Sequence, residues 1–327
     1  MKRPWVILCG ALVLSTFSGQ SQSVSDTLNV PTSSIDVAKR QKVFMGVGAA
    51  SYASMATGLY FAWYDQFDQS GFHLFDDRRE WLDMDKAGHV YSAHIQADLI
   101  HGLARWAGYE EDKALLIGCG ASLLGQLTIE VMDGFSTGWG FSLSDLSANL
   151  LGTGGYYLQQ RYWGEQRLKM KMSYWPVQHP RTVVSAQAGP SQTTLRARAD
   201  NLYGEGVLER FLKDYNGQTI WLSVDLKAFM PDSRWPDFLD LALGYSAEHL
   251  YGGFDNAWET DEAQFVLDGI YPRSRQWVLA LDYDLSSLEM KSEFGRGLIR
   301  FLDIFKWPAP GVWHDSERGW GASLIWR

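Results

Sequence analysis

The spacing of apolar residues changes along this chain of 327 residues, and that change decides the fold class. Up to about residue 175, apolar residues form long runs or recur every three to four positions, which is typical of helices. Beyond about residue 215 they alternate with other residues, which is typical of strands with one covered face. The sequence therefore predicts an α+β protein. It places an N-terminal bundle of about four helices at 43–175 and a small antiparallel β-sheet module at 176–327.

Four alternating stretches define the predicted sheet. Because successive side chains of a strand point to opposite faces, we predict that Leu222, Leu241 and Leu281 share the covered face of the sheet. The same alternation predicts that Ser223 and Asp225 face solvent. The four stretches are 220–226, 239–245, 277–285 and 320–326.

The N-terminus has the three parts of an export signal. A basic start is followed by the short apolar stretch Trp5–Phe17 and by small and polar residues at Ser18–Ser23. We predict a signal peptide at 1–22 and a polar tether at 23–42. The protein would then be exported to the periplasm or to a membrane of the cell envelope. The signal does not distinguish the inner membrane from the outer membrane. Cys119 would be left without a disulfide partner, as a small buried thiol.

An uncharged apolar run, Val43–Tyr64, follows the tether. It is long enough to cross a bilayer, but a helix at the centre of a soluble bundle has the same composition. Gly46 and Gly58 begin and end a stripe of small residues at every fourth position, which predicts close packing against other helices. The sequence is therefore compatible with a bundle inserted in a membrane and with a soluble bundle.

The next helix, in the stretch DMDKAGHVYSAHIQADLIH, contains most of the polar chemistry. At about 100° per residue, His89 shares the apolar face of this helix with Asp85, beside Lys86, and should point into the fold. His94 and His101 lie on the opposite, polar face. We predict that this second pair is solvated and charge-paired.

Two further helices carry acidic residues at costly positions. Glu130 and Asp133 end an apolar helix, where the helix dipole disfavours negative charge, so they need a cation, solvent or a metal. Asp145 either caps the next helix together with Ser142 or lies on one face with Asn149. The predicted polar cluster is Asp85, Lys86, His89, Glu130, Asp133, Asp145 and Asn149. A divalent metal in this cluster would have His89, Glu130 and Asp133 as candidate ligands.

These polar motifs resemble a known family. DKAGH at 85–89, then Glu130 and Asp133, then SLSDLSANLLG at 142–152, are similar to the bacterial envelope family called domain of unknown function 2279. Its members are described as predicted periplasmic lipoproteins, so the resemblance implies an envelope location. A lipobox does not accompany the export signal, which departs from the lipoprotein pattern.

The second half of the chain extends the resemblance. LKDYNGQT at 212–219 and LGYSAEHLYGG at 243–253 are similar to the long form of the family from Bacteroidetes-type bacteria. The order D-K-x-x-H, Glu, D-x-x-x-N-x-x-G more faintly resembles VanZ-like membrane proteins. Neither resemblance implies an established reaction.

The composition and the motifs restrict the function to two hypotheses. A formal net charge of −9 leaves no basic footprint for nucleic acid, and phosphate loops, nucleophile elbows and zinc-type cysteine pairs are absent from the sequence. In the first hypothesis the protein is a structural or interaction component of the envelope, and the polar cluster fixes helix register. In the alternative it is a membrane-associated enzyme with a divalent metal that uses His89, Glu130 and Asp145. Membrane or envelope components are the expected partners in both.

Overall fold

The computed structural model describes residues 34–64, 67–267 and 269–326. The predicted signal peptide, Cys9 and the start of the predicted tether lie outside these residues. Long helices come first and an antiparallel sheet follows, which confirms the predicted α+β class. The chain separates into two compact units: residues up to 77, 92–166 and 289–299 form the first, and residues 78–91, 167–288 and 300–327 form the second.

Four long helices make up the N-terminal half, in agreement with the predicted number. α1 begins inside the predicted tether and ends in a π-helical turn at Tyr60–Tyr64, and a 3-10 turn at Glu80–Asp83 precedes α2. The helices are α1 (Ser34–Leu59), α2 (Met84–Trp106), α3 (Glu111–Gly134) and α4 (Leu143–Trp163).

The small-residue stripe on α1 does not pack as predicted. A Cβ atom added at Gly46 or Gly58 would have nothing within 4 Å, so the prediction of close helix packing there is wrong. Small residues permit close approach, but they do not require a neighbour. Among the described residues, the helix that is long and apolar enough to cross a membrane is α3 and not α1, and membrane insertion stays a prediction.

The closest helix approach that the structure shows is between α2 and α3, at Gly118. A Cβ atom added there would lie 2.8 Å from the carbonyl oxygen of Ala97 and 2.8 Å from the backbone nitrogen of His101. Cys119, next to this contact, is 8% exposed and unpaired, which confirms the predicted buried thiol. The glycine therefore sets the distance between the two helices in the first unit.

A six-stranded antiparallel sheet dominates the second unit, and its strands stand in the order β1-β4-β5-β8-β9-β10. Strands occupy all four predicted stretches, with ends shifted by a few residues. The sequence analysis missed β1 and β9. The strands are β1 (Leu168–Tyr174), β4 (Gln218–Val224), β5 (Leu239–Glu248), β8 (Ser274–Tyr283), β9 (Ala309–Asp315) and β10 (Gly319–Trp326).

The predicted assignment of the two sheet faces is wrong. Leu222, Leu241 and Leu281 do share a face, but each is partly exposed. Ser223 points the other way and is fully buried. The physical reason is that this opposite face buries an ionic network, in which Lys171 and Asp282 form a 2.9 Å ion pair. The side chains therefore do alternate between the two faces of the sheet, but the polar face is the buried one.

Shorter elements complete the second unit and enclose a separate core around Leu195, Tyr203 and Phe265. A buried ion pair lies close to this core, with 2.8 Å between His179 Nε2 and Asp214 Oδ2. The elements are β2 (Val183–Ser185), β3 (Gln192–Thr194), α5 (Leu195–Tyr203), α6 (Val207–Lys213), α7 (Leu226–Phe229), β6 (Ala257–Thr260) and β7 (Ala263–Val266). Helix α8 (Glu293–Leu302) belongs mostly to the first unit.

Candidate functional site

Helix ends and one left-handed turn place the polar residues of the helical half. Arg79, Trp81, Leu82 and Asp83 all have positive φ angles between 48° and 73°, a conformation that costs a non-glycine residue about 1–2 kcal/mol. Asp83 stabilises this turn by accepting a 3.0 Å hydrogen bond from the backbone N–H of Arg79. The turn leads directly into α2 and so fixes where its first polar side chains begin.

The first ligand group consists of His89, Glu130 and Asp145. Within the first unit, Glu130 comes from α3 and Asp145 from α4, and one oxygen atom of each lies within 4.8 Å of the other. His89 lies on the first part of α2, which belongs to the second unit. Glu130 is 1% exposed and Asp145 is 8% exposed.

The second ligand group adjoins the first and shares Asp145 with it. Oxygen atoms of Asp77 and Asp145, both in the first unit, lie within 4.8 Å of each other, and both residues are buried. Asp85, which is buried too, lies on the part of α2 that belongs to the second unit. Asp77 accepts hydrogen bonds from the hydroxyls of Ser142, at 2.6 Å, and Ser144, at 2.5 Å. Ser142 also caps α4 by accepting a 3.0 Å bond from the backbone N–H of Asp145. The capping role and the site role of Asp145 are therefore compatible, because the cap uses its backbone.

The carboxyl groups in this region repel one another. Burial, together with the negative charges of Asp133 and Asp77, raises the pKa of Glu130 to about 8. The pKa of Asp133 is raised to about 6, again chiefly by burial, although Tyr64 donates a 2.6 Å hydrogen bond to this carboxyl group. A cation bound beside these carboxylates would offset the cost of burying their charged forms and would reduce the repulsion between them.

The remaining predicted members lie at the edge of the two ligand groups. Lys86 forms a 2.7 Å ion pair with Asp85, and the Asn149 amide donates a 3.3 Å hydrogen bond to Glu130. Asp133 belongs to neither ligand group. Asp77 was missed, although its neighbourhood in the sequence, FDDRRE, is rich in charge.

The prediction that His94 and His101 are solvated is wrong, because both are buried. The His101 Nδ1 atom lies 2.7 Å from the Tyr156 hydroxyl, and its Nε2 atom lies 3.2 Å from a carboxylate oxygen of Glu111. Burial lowers the pKa of His94 to about 4, so this imidazole is neutral near pH 7. The polar face of α2 is covered by partners on the neighbouring helices, which helical periodicity alone does not reveal.

Comparison with known proteins bears on where the protein is located. No curated protein and no solved structure matches the chain. A family model matches residues 73–161, which include α2, α3 and nearly all of α4, and both ligand groups lie within the match. The description of the family agrees with an exported protein of the periplasm or the cell envelope, as the N-terminus predicts. Over these residues the chain is similar to a family described as predicted periplasmic lipoprotein (DUF2279).

Proposed function

We propose that this envelope protein binds a divalent cation through His89, Glu130 and Asp145, and that the cation serves metal-assisted hydrolysis. The observation that carries the proposal is the convergence of three buried carboxylates in the first unit: oxygen atoms of Glu130 and Asp77 each lie within 4.8 Å of an Asp145 oxygen. Imidazole and carboxylate ligands together suit Zn²⁺ and Mn²⁺. Three protein ligands leave coordination positions for water, as in catalytic rather than structural metal sites.

The second ligand group extends the proposal to a pair of cations. Asp77, Asp85 and Asp145 supply only oxygen atoms, which suits Mg²⁺ or Mn²⁺. Because Asp145 belongs to both groups, its carboxylate could bridge two ions, as carboxylates do in two-metal hydrolytic sites about 3.5–4 Å across. In such a site one ion activates water and the other binds an anionic oxygen of the substrate.

The electrostatics of the site support a cation. The pKa of Glu130 is raised by its own burial and by two neighbouring carboxylates, so the charged form is disfavoured without a positive partner. A divalent ion supplies the largest local charge available to such a site. Hydrogen bonds from Ser142 and Ser144 to Asp77 would orient that ligand, as outer partners do in metal sites.

A structural role is the second candidate, and specific contacts favour it. The Asn149 amide donates to Glu130, the Tyr64 hydroxyl donates to Asp133, and Lys86 pairs with Asp85. A network of this kind between helices can fix their register without binding anything. The protein would then be a structural or interaction component of the envelope.

Metal titration distinguishes the two candidates. We expect the metal-stripped protein to bind Mn²⁺ in calorimetry, and we expect His89→Ala, Glu130→Gln and Asp145→Asn each to weaken binding at least about tenfold. Asp112→Asn, an exposed carboxylate on the first turn of α3, is the matched control and should leave binding unchanged. Absence of Mn²⁺ and Zn²⁺ binding by a folded protein would refute the metal site and leave the register network.

Electron paramagnetic resonance of the Mn²⁺-loaded protein tests the pair of ions. Two ions bridged by Asp145 should give a spin-coupled spectrum, and Asp85→Asn should reduce it to that of a single ion. Membrane or envelope components as partners, the signal peptide, and the similarity to the long Bacteroidetes-type form and to VanZ-like proteins also remain proposals. They support the same envelope setting.

A further inference from the structure

The exposed face of the six-stranded sheet is apolar, and its residues form continuous rows across the strands. Two central rows are aliphatic, and the strand register aligns their members directly. They are Leu222–Leu243–Leu279–Val312 and Val224–Leu241–Leu281.

Aromatic residues flank the aliphatic rows on both sides. Tyr245, Trp277 and Trp320 stand with His314 in one row across β5, β8, β9 and β10. Tyr283 stands at the other end of β8. The six residues from Trp277 to Tyr283 correspond to about 20 Å at 3.4 Å per residue. Charged side chains begin beyond the first aromatic row: Arg275 is two residues before Trp277 and pairs with Asp83 at 3.3 Å.

The large side chains of this face are exposed to an unusual degree. Leu279 is 44% exposed, Val312 45%, Trp277 51% and Trp320 78%. Single exposed apolar residues are ordinary, but contiguous rows of them mark a surface that contacts an apolar partner.

The opposite face of the same sheet is buried, and it carries both an apolar cluster around Trp221, Ala242 and Val278 and several charged side chains. Lys171 is fully buried between Asp282, at 2.9 Å, and Asp303, at 2.7 Å. Ser223 donates a 2.7 Å hydrogen bond to Asp282 and faces Asp240, which is fully buried too. The sheet therefore buries its charged side chains and exposes its leucines. A sheet with one face in water has the opposite arrangement, with its apolar face buried and its polar face exposed.

We propose that the aliphatic rows of this sheet lie against the acyl chains of a lipid bilayer. Sheets that contact lipid alternate apolar residues outward with polar residues inward, and rows of aromatic residues border their apolar band. Trp and Tyr prefer the boundary between hydrocarbon and headgroups, which explains why they stand at both ends of the leucine rows. This surface is independent of the metal site in the helical half.

A second copy of the chain is the other occupant to consider. A dimer interface buries apolar area, but it gives no reason for aromatic residues at both ends of the leucine rows or for the charged Arg275 just beyond the first aromatic row. The distance of about 20 Å between the aromatic positions exceeds half of a hydrocarbon core about 30 Å thick, so the leucines would reach well below the headgroups.

Spin labels on neighbouring strands test the proposal directly. In full-length protein with Cys9→Ser and Cys119→Ala, single cysteines replace Leu243, Leu279 or Thr260, and the labelled proteins are mixed with phosphatidylethanolamine–phosphatidylglycerol vesicles. Thr260 is the control, because it is exposed on the separate hairpin of β6 and β7.

We expect the labelled proteins to float with the vesicles. Collision with oxygen should then exceed collision with a water-soluble nickel chelate at positions 243 and 279, and the reverse should hold at position 260. Equal nickel access at all three positions, or failure to float, would overturn the proposal. Low access to both reagents at 243 and 279, with dipolar broadening before vesicles are added, would assign the face to a second copy and also overturn it.

Discussion

The contact between α2 and α3 gives a sharp test of the helical half, because two glycines of α3 lie in opposite environments. At Gly118 a new Cβ would lie 2.8 Å from backbone atoms of α2, which cannot move aside as a flexible side chain can. At Gly120 a new Cβ would have nothing within 4 Å. The same substitution to alanine should therefore have opposite effects two residues apart.

The magnitudes follow from two terms. Replacing glycine by alanine inside a helix contributes about 1 kcal/mol of stability, and this applies equally to both positions. Overpacking at Gly118 costs about 1–3 kcal/mol, at the upper end because the clash is with backbone. Gly120→Ala should raise the free energy of unfolding by up to about 1 kcal/mol, whereas Gly118→Ala should lower it by about 1–2 kcal/mol.

Urea unfolding of the two variants beside the parent protein measures the difference. Equal stability changes in the two variants would refute the close approach at Gly118. Loss of stability in Gly120→Ala would show that the exposed side of α3 is covered.

Three further predictions concern buried charge. Lys171→Met should cost about 3–5 kcal/mol, because it leaves Asp282 buried without its cation, whereas the partly exposed Lys227→Met should cost less than about 1 kcal/mol in the same melt. Burial raises the pKa of Asp240 from 3.8 to about 6, so the native state binds this proton more tightly than the unfolded chain does. Asp240→Asn should therefore stabilise the protein by about 2–3 kcal/mol at pH 7.5, and chemical unfolding at several pH values should show this gain vanish between pH 6 and pH 4. Burial lowers the pKa of His94 from 6.5 to about 4, so the free energy of unfolding should decrease as the pH drops from 6.5 to 4. The free energy of unfolding of the His94→Gln variant should decrease less steeply over the same range.

Periodicity predicted which elements form but not which of their faces is covered. The alternation around Leu222 and Ser223 separates two faces of a strand, yet burial of the polar face depends on ion pairs that come from β1 and from the segment after α8. Likewise, the helical period of α2 separates His89 from His94. Burial of the side that carries His94 and His101 depends on Tyr156 and Glu111, which come from the neighbouring helices.

The polar cluster was easier to find than its full membership. Glu130 and Asp145 stand out because ionisable groups at the end of an apolar helix, or inside one, need partners. Asp77 lies in a loop, where a carboxylate is unremarkable by itself, and only the fold brings it to Ser142 and Asp145.

The segment 78–91 determines the order in which the second unit can fold. Met84 packs into a core with Met172, Ile220 and Leu250, and the Tyr91 hydroxyl donates to the carbonyl oxygen of Ile304. These partners are separated from the segment by 80 to more than 200 residues of sequence, and such long loops close slowly. During synthesis from the N-terminus, the apolar side chain of Met84 stays uncovered until Leu250, the last of these three buried partners along the chain, has emerged. An expressed fragment covering only residues 73–161 would carry that exposed core segment permanently and should aggregate, although it contains every candidate metal ligand.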